Sequence, residues 1–323
     1  MKKYILICFA LILAILLVAC NDEESTDKDP DEQEGDDEIV SPEDFGDAFL
    51  DGELETIYAQ LSESFQQEVS FEEFENLGHQ FNEGVNSYDL LSETPIRGIT
   101  EYQWISDEGD KGIRGHFAAD DTIEVLQLIP LTTYPESDEV YTENSYQMPV
   151  VGEWFVFWGG TNELVNYHYA LEVQRYAYDL VIYEDGSSFD GDSEDNESYH
   201  AFGEDVVAPL EGTIVSVENN ITDNTPTVEM NGEQPLGNHV IIEHANDEYS
   251  VIGHLQEGSV QVSEGDEVSA GDLLGAVGNS GNSSEPHVHY HVSDGSNWDE
   301  ASSIRIKLEN DEDPVRGETV TGF

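Results

Sequence analysis

Across 323 residues the chain carries 71 Asp and Glu against 10 Lys and Arg, a formal net charge of −61. A surface of that sign repels phosphate backbones and excludes nucleic acid as a partner. The only cysteines are Cys8 and Cys20, so no thiolate cluster is available and any metal must be held by His, Asp or Glu. The acids are spread along the whole chain rather than gathered in one patch. That spread suits a salt-loving or alkali-tolerant bacterium better than a dedicated cation-binding or basic-peptide-binding site. At high ionic strength the Debye length falls to about 3 Å and the self-repulsion fades.

Residues 1–19 read as a secretory signal. Met1-Lys2-Lys3 is a short basic head, and Tyr4 to Val18 is an apolar run too short for the roughly 20 residues of a spanning helix. Leu17-Val18-Ala19-Cys20 resembles the lipobox of bacterial lipoproteins. The resemblance implies that Cys20 is lipidated, becomes the mature N-terminus and anchors the protein to the outer face of the cytoplasmic membrane. Residues 20–42 are mostly Asp, Glu, Ser and Gly and bury too little to fold, which predicts a disordered acidic tether.

Residues 43–145 change character. Phe45, Phe49, Leu54, Ile57, Tyr58, Leu61 and Phe65 recur at helical spacing. Phe71, Phe74, Leu77 and Phe81 predict a second helix, with Ser70 as its N-cap ahead of Glu72 and Glu73. Strand-like runs follow at 102–105, 112–118 and 123–129. Two helices and then a small antiparallel sheet make an α+β N-terminal domain. His79 and His116 have no partner nearby in sequence and read as surface or core residues. No catalytic constellation is visible here.

Residues 146–323 form the second expected domain, mainly antiparallel and all-β. Runs at 212–218, 239–244, 249–255 and 260–262 alternate or are continuously apolar, with Gly or Asn/Asp turns between them. Gln174 to Val181 reads as a further strand. Gly278-Asn279-Ser280-Gly281 leads into Pro286-His287-Val288-His289-Tyr290-His291. Side chains two apart share a strand face, so His287, His289 and His291 align on one side. Imidazole serves both as a metal ligand and as a general acid or base. Of the three, His291 is expected at the surface.

Several ordered blocks carry a wider likeness: Gly203 to Val215, Gly237 to His244, His254-Leu255, Gly265 to Val268, Gly271 to Gly275, and Gly278 to Gly281 followed by Pro286 to His289. Together they resemble the lysostaphin-type zinc metallopeptidases, which cut peptide bonds in bacterial peptidoglycan. The resemblance spans about Met148 to Val320. It implies an antiparallel β metallopeptidase domain holding one Zn²⁺ per chain and acting as a zinc metalloendopeptidase on the cell wall. It also implies that His289 is a zinc ligand and that His254 and His287 are the catalytic pair.

For the remaining ligands two pairs compete, His168 with Asp179 and His200 with Asp205. Sequence order favours His168/Asp179, because Asp205 falls inside the Gly203 block and the ligand aspartate belongs on the preceding strand. Trp158 to His168 also resembles a subgroup in which an Asn-x-His block supplies the histidine. Residues 185–198 then read as an acidic surface insertion. Glu285 before Pro286 and Ile252-Gly253 before His254 depart from the usual pattern without removing a ligand. The alternative reading is a non-catalytic member of the fold that binds the wall or activates an amidase.

Overall fold

The computed structural model of the chain describes residues 39–323. The expected signal, the expected lipidation at Cys20 and nearly all of the expected acidic tether lie outside the described residues.

The N-terminal part begins with short helices: α1 (Phe45–Asp51), α2 (Leu54–Gln60), α3 (Glu63–Glu68) and α4 (Phe71–Phe81). The run from Phe45 to Phe65, expected as one helix, is broken twice. Gly52 adopts φ +84 after α1, and Leu61 turns extended and bridges Ile123 before Ser62 caps α3. A left-handed residue ends a helix, and glycine enters that region without a Cβ penalty. The second helix, α4, starts as its sequence predicts. Ser70 and Glu73 form a reciprocal capping box.

Strands β1 (Tyr88–Ile96), β2 (Ile99–Ser106), β3 (Lys111–Phe117) and β4 (Ile123–Pro130) make an antiparallel sheet in sequential order. The helices cover this sheet with an aromatic core, in which Phe45 lies 4.6 Å from Trp104 between ring centroids. Strand β1 carries no apolar alternation in its Asp-Leu-Leu-Ser-Glu-Thr-Pro stretch, which is why the sequence does not announce it. It is held by pairing to β2.

After a short helical turn, α5 (Pro135–Asp138), the remaining strands are β5 (Glu153–Trp158), β6 (Tyr178–Val181), β7 (Asp205–Val207), β8 (Gly212–Glu218) and β9 (Asn238–Glu243). They continue with β10 (Tyr249–Leu255), β11 (Glu267–Val268), β12 (Leu273–Ala276), β13 (Val288–Ser293), β14 (Ser303–Ile304) and β15 (Thr319–Thr321). The large sheet runs β11-β8-β9-β10-β13-β6-β5-β15, with β14 on β13, and every pairing is antiparallel. Its core includes Tyr146, Trp154, Leu180, Val240, Ile252 and Tyr290. The fold is therefore the expected one, an α+β N-terminal part followed by a mainly antiparallel β part. Two local expectations fail. Residues 260–262 join no strand, and only Tyr178–Val181 of the 174–181 run is extended.

Strand β13 lies in the middle of this sheet, and all six of its residues are buried. Its side chains are therefore largely shielded from bulk solvent on both faces.

Candidate metal centre

The sheet register assembles the site. On three neighbouring strands Gly253 of β10, His289 of β13 and Asp179 of β6 stand directly opposite one another. Directly opposed residues project to the same face, so Asp179 meets His289 across the ladder. Asp179 Oδ1 lies 3.0 Å from His289 Nδ1 and 3.6 Å from His287 Nε2. Gly253 makes room on the third strand, where an added Cβ would come within 2.7 Å of Leu236.

His168 arrives from outside the sheet, on a 3₁₀ turn at Tyr167–Ala170. Asn166 builds that turn. Its Oδ1 accepts from the His168 backbone N–H at 3.2 Å, and its Nδ2 donates to the Gly160, Arg175 and Ala177 carbonyls. The same Oδ1 lies 2.9 Å from His168 Nδ1. An amide oxygen can only accept, so Nδ1 carries the proton and Nε2 keeps its lone pair. Asn166 Nδ2 also binds the backbone of the 174–177 stretch, which explains why that stretch turns instead of joining the strand. Arg175 there makes no ion pair among the described residues; its guanidinium lies 3.5 Å over the Tyr134 ring.

His168 Nε2 is 3.5 Å from Asp179 Oδ2, fully buried, and without a hydrogen-bond partner among the described residues. A bare lone pair buried beside a carboxylate and a second imidazole is costly unless something positive occupies the space between them. One ligand atom from each of His168, Asp179 and His289 falls within 4.8 Å of the others. Two nitrogens and one carboxylate oxygen form a donor set suited to zinc, and three protein ligands would leave a place for water on a four-coordinate ion. The residues fit a metal ion.

The histidines behind this triad are oriented by backbone carbonyls. His254 Nδ1 donates to Ser280 O at 2.8 Å, and His287 Nδ1 to Glu285 O at 2.8 Å. Their rings lie 4.8 Å apart. His254 has φ +62 at an irregularity in the β9–β10 pairing. A non-glycine residue seldom adopts that region, which costs about 1–2 kcal/mol. Here the distortion breaks the strand alternation and brings His254 to His287. The Ser280 carbonyl reaches it because Gly237, at φ +63, lets the 278–281 turn approach; a Cβ there would meet Ser280 O at 2.4 Å.

Electrostatics agree with a metal-ready site. Burial pushes His168 down to about 3, reinforced by His289 and His287 and opposed by Asp179. Burial likewise pushes His254 and His291 well below the usual imidazole range. These rings are neutral at pH 7. Burial alone would raise Asp179, but His168, His287 and His289 outweigh it and hold the carboxyl well below its usual range.

Of the competing pairs, the structure gathers His168 and Asp179 with His289. His200 is half-buried on the 185–200 segment, and Asp205 is exposed at the start of β7; neither is in the cluster. Two other expectations change. His291, expected at the surface, is fully buried with its Nδ1 3.0 Å from His289 Nε2. His116 does have a partner, Glu101, whose Oε2 accepts from its Nε2 at 2.9 Å. Asn166 was legible only as part of the Asn-x-His block; its contact with His168 needed the fold.

Residues 198–300 match the family model described as Peptidase family M23. That segment holds His254, His287 and His289, while His168 and Asp179 lie upstream of it. The chain is 37% identical over 83 residues to Endolysin 2638A of Staphylococcus phage 2638A, a match covering 24% of this chain and 17% of the endolysin's length. Among solved structures it is similar to lysostaphin, with 22% identity, TM-score 0.24, and 37% of this chain and 47% of that one covered. It is also similar to the deep-sea M23 metalloprotease pseudoalterin, with 16% identity, TM-score 0.31, and 51% and 76% covered. For a SpoIIQ–SpoIIIAH pore-forming complex the values are 22%, 0.29, 50% and 89%. On the family match and the histidines inside it, residues 198–300 carry a peptidase family M23 domain.

Proposed function

We propose that the protein is a zinc metalloendopeptidase that hydrolyses peptide bonds in bacterial peptidoglycan and is tethered to the outer face of the cytoplasmic membrane through lipidated Cys20. The observation that carries the enzymatic part is the unpartnered, fully buried His168 Nε2 facing Asp179, with a second pair of oriented histidines beside it. Peptidoglycan as substrate rests on the M23 domain. The tether rests on the sequence of residues 1–20 alone.

His168, Asp179 and His289 would hold the zinc. When bound, the ion supplies Lewis acidity, acidifying a water and polarising the scissile carbonyl. The chain's own groups do the rest. His254, held neutral by burial, keeps its proton on Nδ1 toward Ser280 O, so its Nε2 is a lone pair, and His287 beside it is oriented by the Glu285 carbonyl. A neutral imidazole so placed takes a proton from the attacking water and returns it to the departing amine as the C–N bond breaks. Protonated in between, it also offers a hydrogen bond to the charge developing on the carbonyl oxygen.

The test is the soluble chain from Asn21 on purified peptidoglycan at high salt. Release of muropeptides with new amino termini, abolished by a chelator and restored by zinc, is the expected result. Zinc binding without cleavage would favour the wall-binding or amidase-activating alternative. For the tether, labelled fatty acid should enter the full chain and not its Cys20→Ser variant.

A further inference from the structure

The loop from Gly159 to His168 brings the first ligand to the metal centre, and the N-terminal sheet grips that loop. The Leu164 carbonyl accepts from Gln103 Nε2 at 2.9 Å and from Arg114 Nη2 at 2.6 Å. The Leu164 side chain is fully buried against Gly112 of β3, where an added Cβ would sit 3.0 Å from its methyl groups. Along the chain Leu164 comes just before Asn166, which orients His168. Both anchors belong to the sheet, Gln103 on β2 and Arg114 on β3, and the register places them opposite one another.

Glu101 holds the anchors in turn. It accepts from Gln103 Nε2 at 2.8 Å and from Arg316 Nε at 3.0 Å, and Arg114 Nε lies 3.4 Å away. The chain has only 10 Lys and Arg, and two of them converge on this one buried carboxylate. A second route reaches the same loop. The Arg316 guanidinium lies 3.9 Å over Trp158, Trp158 meets Tyr167 edge-on at 5.4 Å, and Tyr167 lies 3.9 Å from the His168 ring. A surface tie between two folded parts would need neither the buried charge nor the contact with a ligand-bearing loop.

We propose that Gln103 and Arg114 are positioning residues of the metal centre: by fixing the Leu164 carbonyl, the N-terminal sheet sets where Asn166 and His168 stand. The inference rests on the zinc reading above. It gives the N-terminal part a role that its own described residues, which gather no catalytic constellation, do not suggest. A direct hydrogen-bond partner of a ligand is typically worth 10–100-fold in metal affinity; Gln103 and Arg114 act one step further out, through the loop that carries Asn166, so the low end of that range is expected.

The experiment compares three forms of the chain from Asn21: the parent, Gln103→Met with Arg114→Met, and Phe74→Leu. Phe74 is buried in the N-terminal core away from Leu164, so that variant matches a general loss of stability. Zinc affinity by chelator competition and the visible spectrum of the cobalt-substituted protein are the readouts. The double variant should bind zinc about tenfold more weakly, with a shifted cobalt spectrum, while Phe74→Leu keeps both parental values. The single Gln103→Met variant, a milder change, should move in the same direction and serves if the double variant does not fold. Parental affinity and spectrum in the Gln103 and Arg114 variants would overturn the positioning role and leave the zinc reading standing. A parent that takes up no zinc would overturn both.

Discussion

Asp179 of β6 and His289 of β13 stand opposite each other on adjacent antiparallel strands, with Oδ1 3.0 Å from Nδ1. Residues 110 positions apart in sequence thus meet as a cross-strand pair. His168, on a separate turn, closes the triad from outside the sheet.

The division of labour between the triad and the histidines behind it is testable. His254→Ala and His287→Ala should each lower kcat by about 10²–10⁴-fold, the usual range for a lost general acid or base. Bound zinc should stay near parental levels in both. Loss of zinc in either variant would show that the residue is a ligand.

The two candidate ligand pairs separate cleanly by substitution. His168→Ala should abolish zinc retention, whereas His200→Ala should leave zinc content and cleavage unchanged. If His200→Ala alone released the metal, the assignment of His168 and Asp179 would be wrong.

Asn166 and His291 flank the ligand imidazoles, at 2.9 Å from His168 Nδ1 and 3.0 Å from His289 Nε2. As hydrogen-bond partners of ligands, their loss should weaken zinc binding about 10–100-fold. Isothermal titration of Asn166→Ala and His291→Ala checks this. Unchanged affinity in both would mean that the ligand rings are fixed by packing alone.

Glu101 gives a pH-dependent prediction. Burial alone would raise its carboxyl, but the hydrogen bond from His116 and the charges of Arg316 and Arg114 outweigh burial and hold it below its ordinary 4.5. A depressed folded-state pKa contributes stability above the unfolded value, and that contribution is lost as pH falls through the folded value. Glu101→Gln leaves Arg316 buried without its carboxylate, which should cost about 3–5 kcal/mol at pH 7. Thermal melts should show the gap between parent and variant closing as pH falls below the ordinary 4.5 and through the lowered folded-state value. A gap that persisted at low pH would mean that shape, not charge, is what the site needs.

The sequence made some of this legible and hid the rest for physical reasons. The alternating His287, His289 and His291 and the Gly-rich turns are local signals, and they locate β13 and the turn before it. Strand pairing is not local. Sequence order already favours Asp179 over Asp205, but that Asp179 stands directly opposite His289 follows from the register of β6 against β13, which no spacing encodes. His291 looked exposed because alternation cannot show that β13 is central and covered on both faces. His116 finds Glu101 only through the β2–β3 register. The long apolar run from Phe45 reads as one helix because periodicity does not register the left-handed Gly52 that interrupts it.

The most direct test of the central claim is zinc stoichiometry together with peptidoglycan cleavage by the chain from Asn21, measured beside His289→Ala. The account predicts about one zinc per chain and muropeptide release in the parent, with both lost in the variant. Cleavage that survives the loss of His289, or a parent that binds no zinc, would contradict it.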